Sequence, residues 1–129
     1  MSAIEPGLTN QTTRRVEERH LASQWGSGLA AVLATPALVA FCEECARLAV
    51  EPLLPPGQQT VGTWISLRHL AATPPGATVR ARAEVIAVEG RQITLRVQAL
   101  DEQEQIGTGT HTRYVIDVAR FMERAQAKA

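Results

Sequence analysis

Between Thr35 and Val50 the apolar positions follow a helical spiral, and from Val61 to Val118 the period changes from 3.6 residues to two. Thr35 followed by Pro36 predicts the helix start, because a threonine hydroxyl can accept from orphan first-turn amides and proline at the first helical position loses no hydrogen bond. Glu43, Glu44, Arg47 and Glu51 fall within one arc of about 100° at 3.6 residues per turn. Leu38, Val39, Ala40, Phe41, Ala46, Leu48 and Ala49 cover the remaining circumference, so most of this helix is expected to be buried. Pro52, Pro55, Pro56 and Gly57 end it.

Four strands fit the period-two stretch. In the first, Val61, Thr63, Ile65, Leu67 and His69 would share one face. In the second, Val79, Ala81, Ala83, Val85 and Ala87 form a small-residue inward face that allows close helix packing. Glu89 and Gly90 predict a tight turn into a third strand carrying Ile93, Leu95, Val97 and Ala99, and Asp101 to Gln105 turns into a long strand, Ile106 to Val118. Gly107 and Gly109 inside that strand read as a bulge, since no helix follows to make them a phosphate loop. Upstream, residues 1–10 read as a flexible tail, Gln11 to Arg19 as a weak edge strand, and Ser23 to Gly28, around Trp25, as a mobile loop. The economical packing is an α+β hotdog fold, a curved antiparallel sheet wrapped around one central helix, as a single domain over residues 11–129. Its unpaired edge strand predicts a homodimer.

Composition narrows the function. Thirteen Lys and Arg against thirteen Asp and Glu leave zero formal charge, which disfavours nucleic acid and anionic membrane surfaces as partners. No apolar run spans a bilayer and the first fifteen residues lack a secretory core, so a cytoplasmic setting is expected. Cys42 and Cys45, without a second pair, read as reduced packing sulfurs and not as a metal site.

Polar groups that interrupt apolar faces are the candidates for chemistry. On pattern alone His69 is a satisfied strand-end histidine or a catalytic one, Glu43 a surface partner of Arg47 or a working carboxylate, and Thr35 first of all a cap. His111 and Arg113 share a face with the two glycines and are either solvated or set to meet a phosphate-bearing ligand.

The stretch from Gly62 to Gly76 resembles the corresponding strand and turn of the fluoroacetyl-CoA thioesterase family. The resemblance extends upstream to Thr35 and Glu43, and downstream to Gly107-Thr108-Gly109-Thr110-His111 with Arg113. It implies that Thr35, Glu43 and His69 are catalytic, and that Gly62 offers a backbone amide near the thioester oxygen. Trp25, Leu29 and Arg113 become candidate substrate contacts. No cofactor is implied, CoA being part of the substrate. Gly26 and Leu29 stand where the family carries an aromatic lid, so fluoroacetyl selectivity is not expected to carry over. The expected activity is hydrolysis of a small acyl-CoA; the rival is a noncatalytic binder of acyl-CoA or an acyl carrier.

Overall fold

The computed structural model describes residues 3–129; Met1 and Ser2, the start of the expected tail, lie outside the described residues. Five strands, β1 (Thr9–Arg15), β2 (Gln58–His69), β3 (Thr78–Glu89), β4 (Gln92–Leu100) and β5 (Gln105–Asp117), form one antiparallel sheet in the order β1-β3-β4-β5-β2. Helix α1 (Thr35–Val50) lies in its concave face, and α2 (Val118–Gln126) follows β5. This is the hotdog arrangement, with both β1 and β2 left as edges.

The core is the seam between α1 and the sheet. Ala37, Leu38, Cys42, Cys45 and Ala46 meet the inward faces of β3 and β4, where Val79, Ala81, Ala83, Val85, Ile93, Leu95, Val97 and Ala99 are buried. The alanines of β3 let the helix approach so closely that the Cys45 thiol reaches the Ala81 carbonyl at 3.5 Å. Both cysteines are buried and unbridged, and burial pushes the Cys42 thiol up to about 12, so both serve as packing sulfurs.

Several expectations need correction. The first strand begins at Thr9 and ends at Arg15, inside the expected tail and short of Arg19; Gly7 and Leu8 already bond to Val85, and Asn10 reaches the Cys45 carbonyl. Thr35 is not the helix cap. Ala34 holds that position in extended conformation, and Thr35 is the first helical residue. Part of the predicted loop is a single 3₁₀ turn, Ala22–Gln24. Ala40 is exposed, and Val39 and Leu48 are only half-buried, so α1 keeps an open face beside Glu43 and Glu44.

Two register details position the site. A bulge in β2 between Gly62 and Trp64 reverses the alternation, so Thr60 and Gly62 face inward with Ile65, Leu67 and His69, in place of Val61 and Thr63. In β5, Gly109 keeps regular register, whereas Gly107 borders a register shift at Ile106, opposite Ala99 and Leu100. A Cβ at Gly107 would crowd the Leu38 side chain, and one at Gly109 would strike the backbone of Ser66 and Leu67. They are glycines because helix and neighbouring strand come too close for anything larger.

Candidate active site

The site residues fall into two groups within one protomer. The first sits at the start of α1, where Thr35 Oγ1 and His69 Nδ1 are 2.8 Å apart. They line a cavity of about 480 Å³ whose apolar wall includes Leu33, Ala34, Leu70 and Ala71. His69 Nε2 is buried without a hydrogen-bond partner. Burial lowers the imidazole pKa below the ordinary histidine value, and the backbone of Ala71 offsets this only in part, so the ring is neutral at pH 7. When the Thr35 hydroxyl donates to Nδ1 the ring proton sits on Nε2; when Nδ1–H donates to the hydroxyl oxygen, Nε2 is left as an acceptor.

The second group surrounds Glu43, eight residues and about 12 Å further along the helix axis. Arg113 is 4% exposed; its Nε donates to Thr60 Oγ1 at 2.7 Å and its Nη2 to the Thr60 carbonyl at 2.9 Å. Its Nη1 donates to Glu43 Oε2 at 3.4 Å and lies 3.2 Å from His111 Nε2. His111, 1% exposed, places Nδ1 2.8 Å from the Trp64 carbonyl. A carbonyl only accepts, so Nδ1 carries the proton and Nε2 accepts from Arg113. Burial lowers the His111 pKa, with Arg113 acting in the same direction, so the ring stays neutral. The 3.9 Å approach of its Nε2 to Glu43 is therefore not an ion pair. Gly62 completes the group, since a Cβ there would collide with Glu43 Oε2 and press on His111. The Glu43 side chain, 45% exposed, stays open to water.

The structure thus pairs Thr35 with His69, and Glu43 with Gly62, but does not bring the pairs together within one chain. His111 and Arg113 are neither solvated nor free to meet a phosphate: they are buried behind Glu43. Trp25 is also placed elsewhere. Its indole N–H donates to the Arg19 carbonyl, and it borders a separate groove with His20 and Phe41. Leu29 borders the Thr35–His69 cavity but is 97% exposed, so it does not close it. Thr60, which anchors Arg113, escaped the sequence reading. The available signal was polar Thr, His and Arg at inward positions of two otherwise packed strands, hidden by the bulge at Thr63.

The comparisons bear on this geometry. The model of the fluoroacetyl-CoA-specific thioesterase family matches residues 16–119. A fluoroacetyl-CoA thioesterase of Streptantibioticus cattleyicolor is 43% identical over 97 residues, covering 75% of this chain and 70% of the relative. A structure of the fluoroacetyl-CoA thioesterase FlK superposes with a TM-score of 0.94 at 33% identity, covering 99% of each chain. A Thermus thermophilus protein of the thioesterase superfamily superposes with a TM-score of 0.85 at 27% identity, covering 98% of this chain and 99% of that one. By family match and fold together, the chain belongs to the fluoroacetyl-CoA-specific thioesterases, a family of hotdog-fold thioester hydrolases.

Proposed function

We propose that the protein hydrolyses a small acyl-CoA at a site completed between two copies of the chain. The observation that carries this is the division of the candidate residues. In one protomer, Gly62 and His69 lie seven residues apart on β2, roughly 23 Å at the usual strand rise. β2 is an unpaired sheet edge. Antiparallel pairing of two β2 edges about an axis near Ile65 and Ser66 sets Gly62 of one copy opposite His69 of the other. The Glu43 carboxylate of one subunit then faces the Thr35–His69 pair of its partner, and the open face of α1 lies along the same seam.

The chemistry follows from the groups gathered there. A thioester carbonyl needs an attacking oxygen, donors for the developing oxyanion and an exit for the thiolate. The half-exposed Glu43 carboxylate takes a proton from a water whose oxygen attacks the carbonyl carbon. The amides of the first turn of α1 and of Gly62 serve the oxyanion, where one such donor is worth about 3 kcal/mol in enzymes where it has been removed. The C–S bond then breaks, and because thiols ionise near about pH 8.5 the leaving group needs little acid help. In the tautomer that carries its proton on Nε2, His69 supplies that help or orients the thioester.

The Streptantibioticus cattleyicolor relative and the FlK structure are named for fluoroacetyl-CoA, which gives no support to the expectation that this preference is lost. We assign the substrate as a short acyl-CoA, with fluoroacetyl-CoA among the compounds to be compared. The test is thiol release from acetyl-, fluoroacetyl- and propionyl-CoA by wild type and Glu43→Ala. The assignment expects turnover that falls about 100-fold or more in the variant. Equal, slow release by both would overturn it, and binding measured by calorimetry without release would favour the noncatalytic alternative.

A further inference from the structure

We propose that His111 is a positioning residue for this hydrolysis: fixed as the Nδ1–H tautomer by the Trp64 carbonyl, it holds the Arg113 guanidinium in the orientation that steers the Glu43 carboxylate. The inference rests on the hydrolytic reading and adds a residue to it. Arg113 spends Nε and Nη2 on Thr60, leaving Nη1 to serve both Glu43 and His111. In a buried setting an unpaired N–H is costly, so without the His111 acceptor the guanidinium would turn to recover a partner and draw Nη1 away from Glu43. A carboxylate at position 111 would compete with Glu43 for the positive charge, and an alkyl side chain would orphan the donor. A neutral imidazole satisfies Nη1 and leaves the charge for Glu43. The orientation of the imidazole comes from strand geometry: His111 stands opposite Ile65 across the β2–β5 ladder, next to the bulge that brings the Trp64 carbonyl to its ring.

The test uses two substitutions that each keep half of the imidazole. His111→Asn retains a donor for the Trp64 carbonyl but has no acceptor near the Nε2 position, whereas His111→Gln places an amide oxygen there. The expected result is a kcat for His111→Asn lower by about ten-fold or more with KM within about two-fold, and recovery by His111→Gln to within about three-fold of wild type. In a Glu43→Gln background, His111→Asn should have no further effect. Imidazole ¹⁵N spectra of the wild-type protein near pH 7 provide a readout independent of turnover and of variant folding, and should show Nδ1 protonated and Nε2 bare. Wild-type turnover by His111→Asn, failure of His111→Gln to exceed His111→Asn, or a protonated Nε2 would each overturn the proposal. A wild-type protein inert toward every short acyl-CoA would overturn the hydrolytic reading and this inference with it. An active wild type with an unaffected His111→Asn would overturn this inference alone.

Discussion

Position 62 shows how tightly a single residue is constrained by its neighbours. Gly62 is not in the left-handed region, so its lack of a side chain is a matter of space: Glu43 Oε2, His111 Cε1 and Arg113 Nη1 fill the volume a Cβ would take. Gly62→Ala therefore has to displace the carboxylate. We expect kcat to fall about 100-fold, in line with a misplacement of about 1 Å at a reacting group, while the thermal midpoint changes little. Steady-state kinetics beside a melting curve would check this, and unchanged kcat would show that Glu43 is not held against Gly62. Arg113 is similarly specific. Its guanidinium uses Nε, Nη1 and Nη2 in three directions, and a lysine ammonium cannot reproduce that fork, so Arg113→Lys should lose activity almost as fully as Arg113→Ala in the same thiol-release assay. Activity of Arg113→Lys near wild type would refute the steering role.

Among the elements, α1 and β3 depend on one another through residue size. The inward alanines of β3 are buried against α1, Ala83 being fully so, and Leu38 of the same helix fills the space that a Cβ at Gly107 of β5 would need. Ala83→Leu should destabilise the fold by about 1–3 kcal/mol through overpacking, read as a lower urea midpoint with an unchanged slope. A midpoint equal to that of wild type would contradict the close seam. These elements were legible in the sequence because each carries a sustained period: the helix expected from Pro36 to about Val50 starts one residue earlier, at Thr35, and β3 and β4 fall within a residue or two of their expected bounds. The polar Thr9–Arg15 strand was harder to place because it has no apolar alternation of its own and is held by backbone pairing to β3. The face assignment in β2 failed for a definite reason. One extra residue at Thr63 shifts the alternation by one, and no local pattern announces a bulge. That shift also hid the inward Thr60 and Gly62, and with them the second half of the candidate site. Thr35, Glu43 and His69 were legible only through family resemblance, since their own spacing fits a cap, a helix-surface pair and a strand-end histidine equally well.

For the molecule as a whole, two properties follow from what is buried and what is left open. His20, His69 and His111 all have pKa values lowered by burial from the ordinary 6.5, so above that value folded and unfolded chains alike are neutral at these positions. Below it the unfolded chain takes up protons that the native chain refuses, and stability falls as the pH drops. The melting temperature should decline between about pH 7.5 and pH 5, and the decline should lessen when His20, the one of the three outside the candidate site, is replaced by Gln; a flat profile would contradict the burial of these rings. The second property is the open β2 edge beside the half-covered face of α1, on which the proposed division of the site between two subunits rests. Hybrid dimers test that division most directly. A dimer of one Glu43→Ala chain and one His69→Ala chain, co-expressed with different tags and purified as the hybrid, carries one wholly intact site and one doubly damaged site if the site is shared. The account predicts about half the wild-type rate per dimer from two chains that are each inactive as homodimers. A hybrid as inactive as its parents would contradict it.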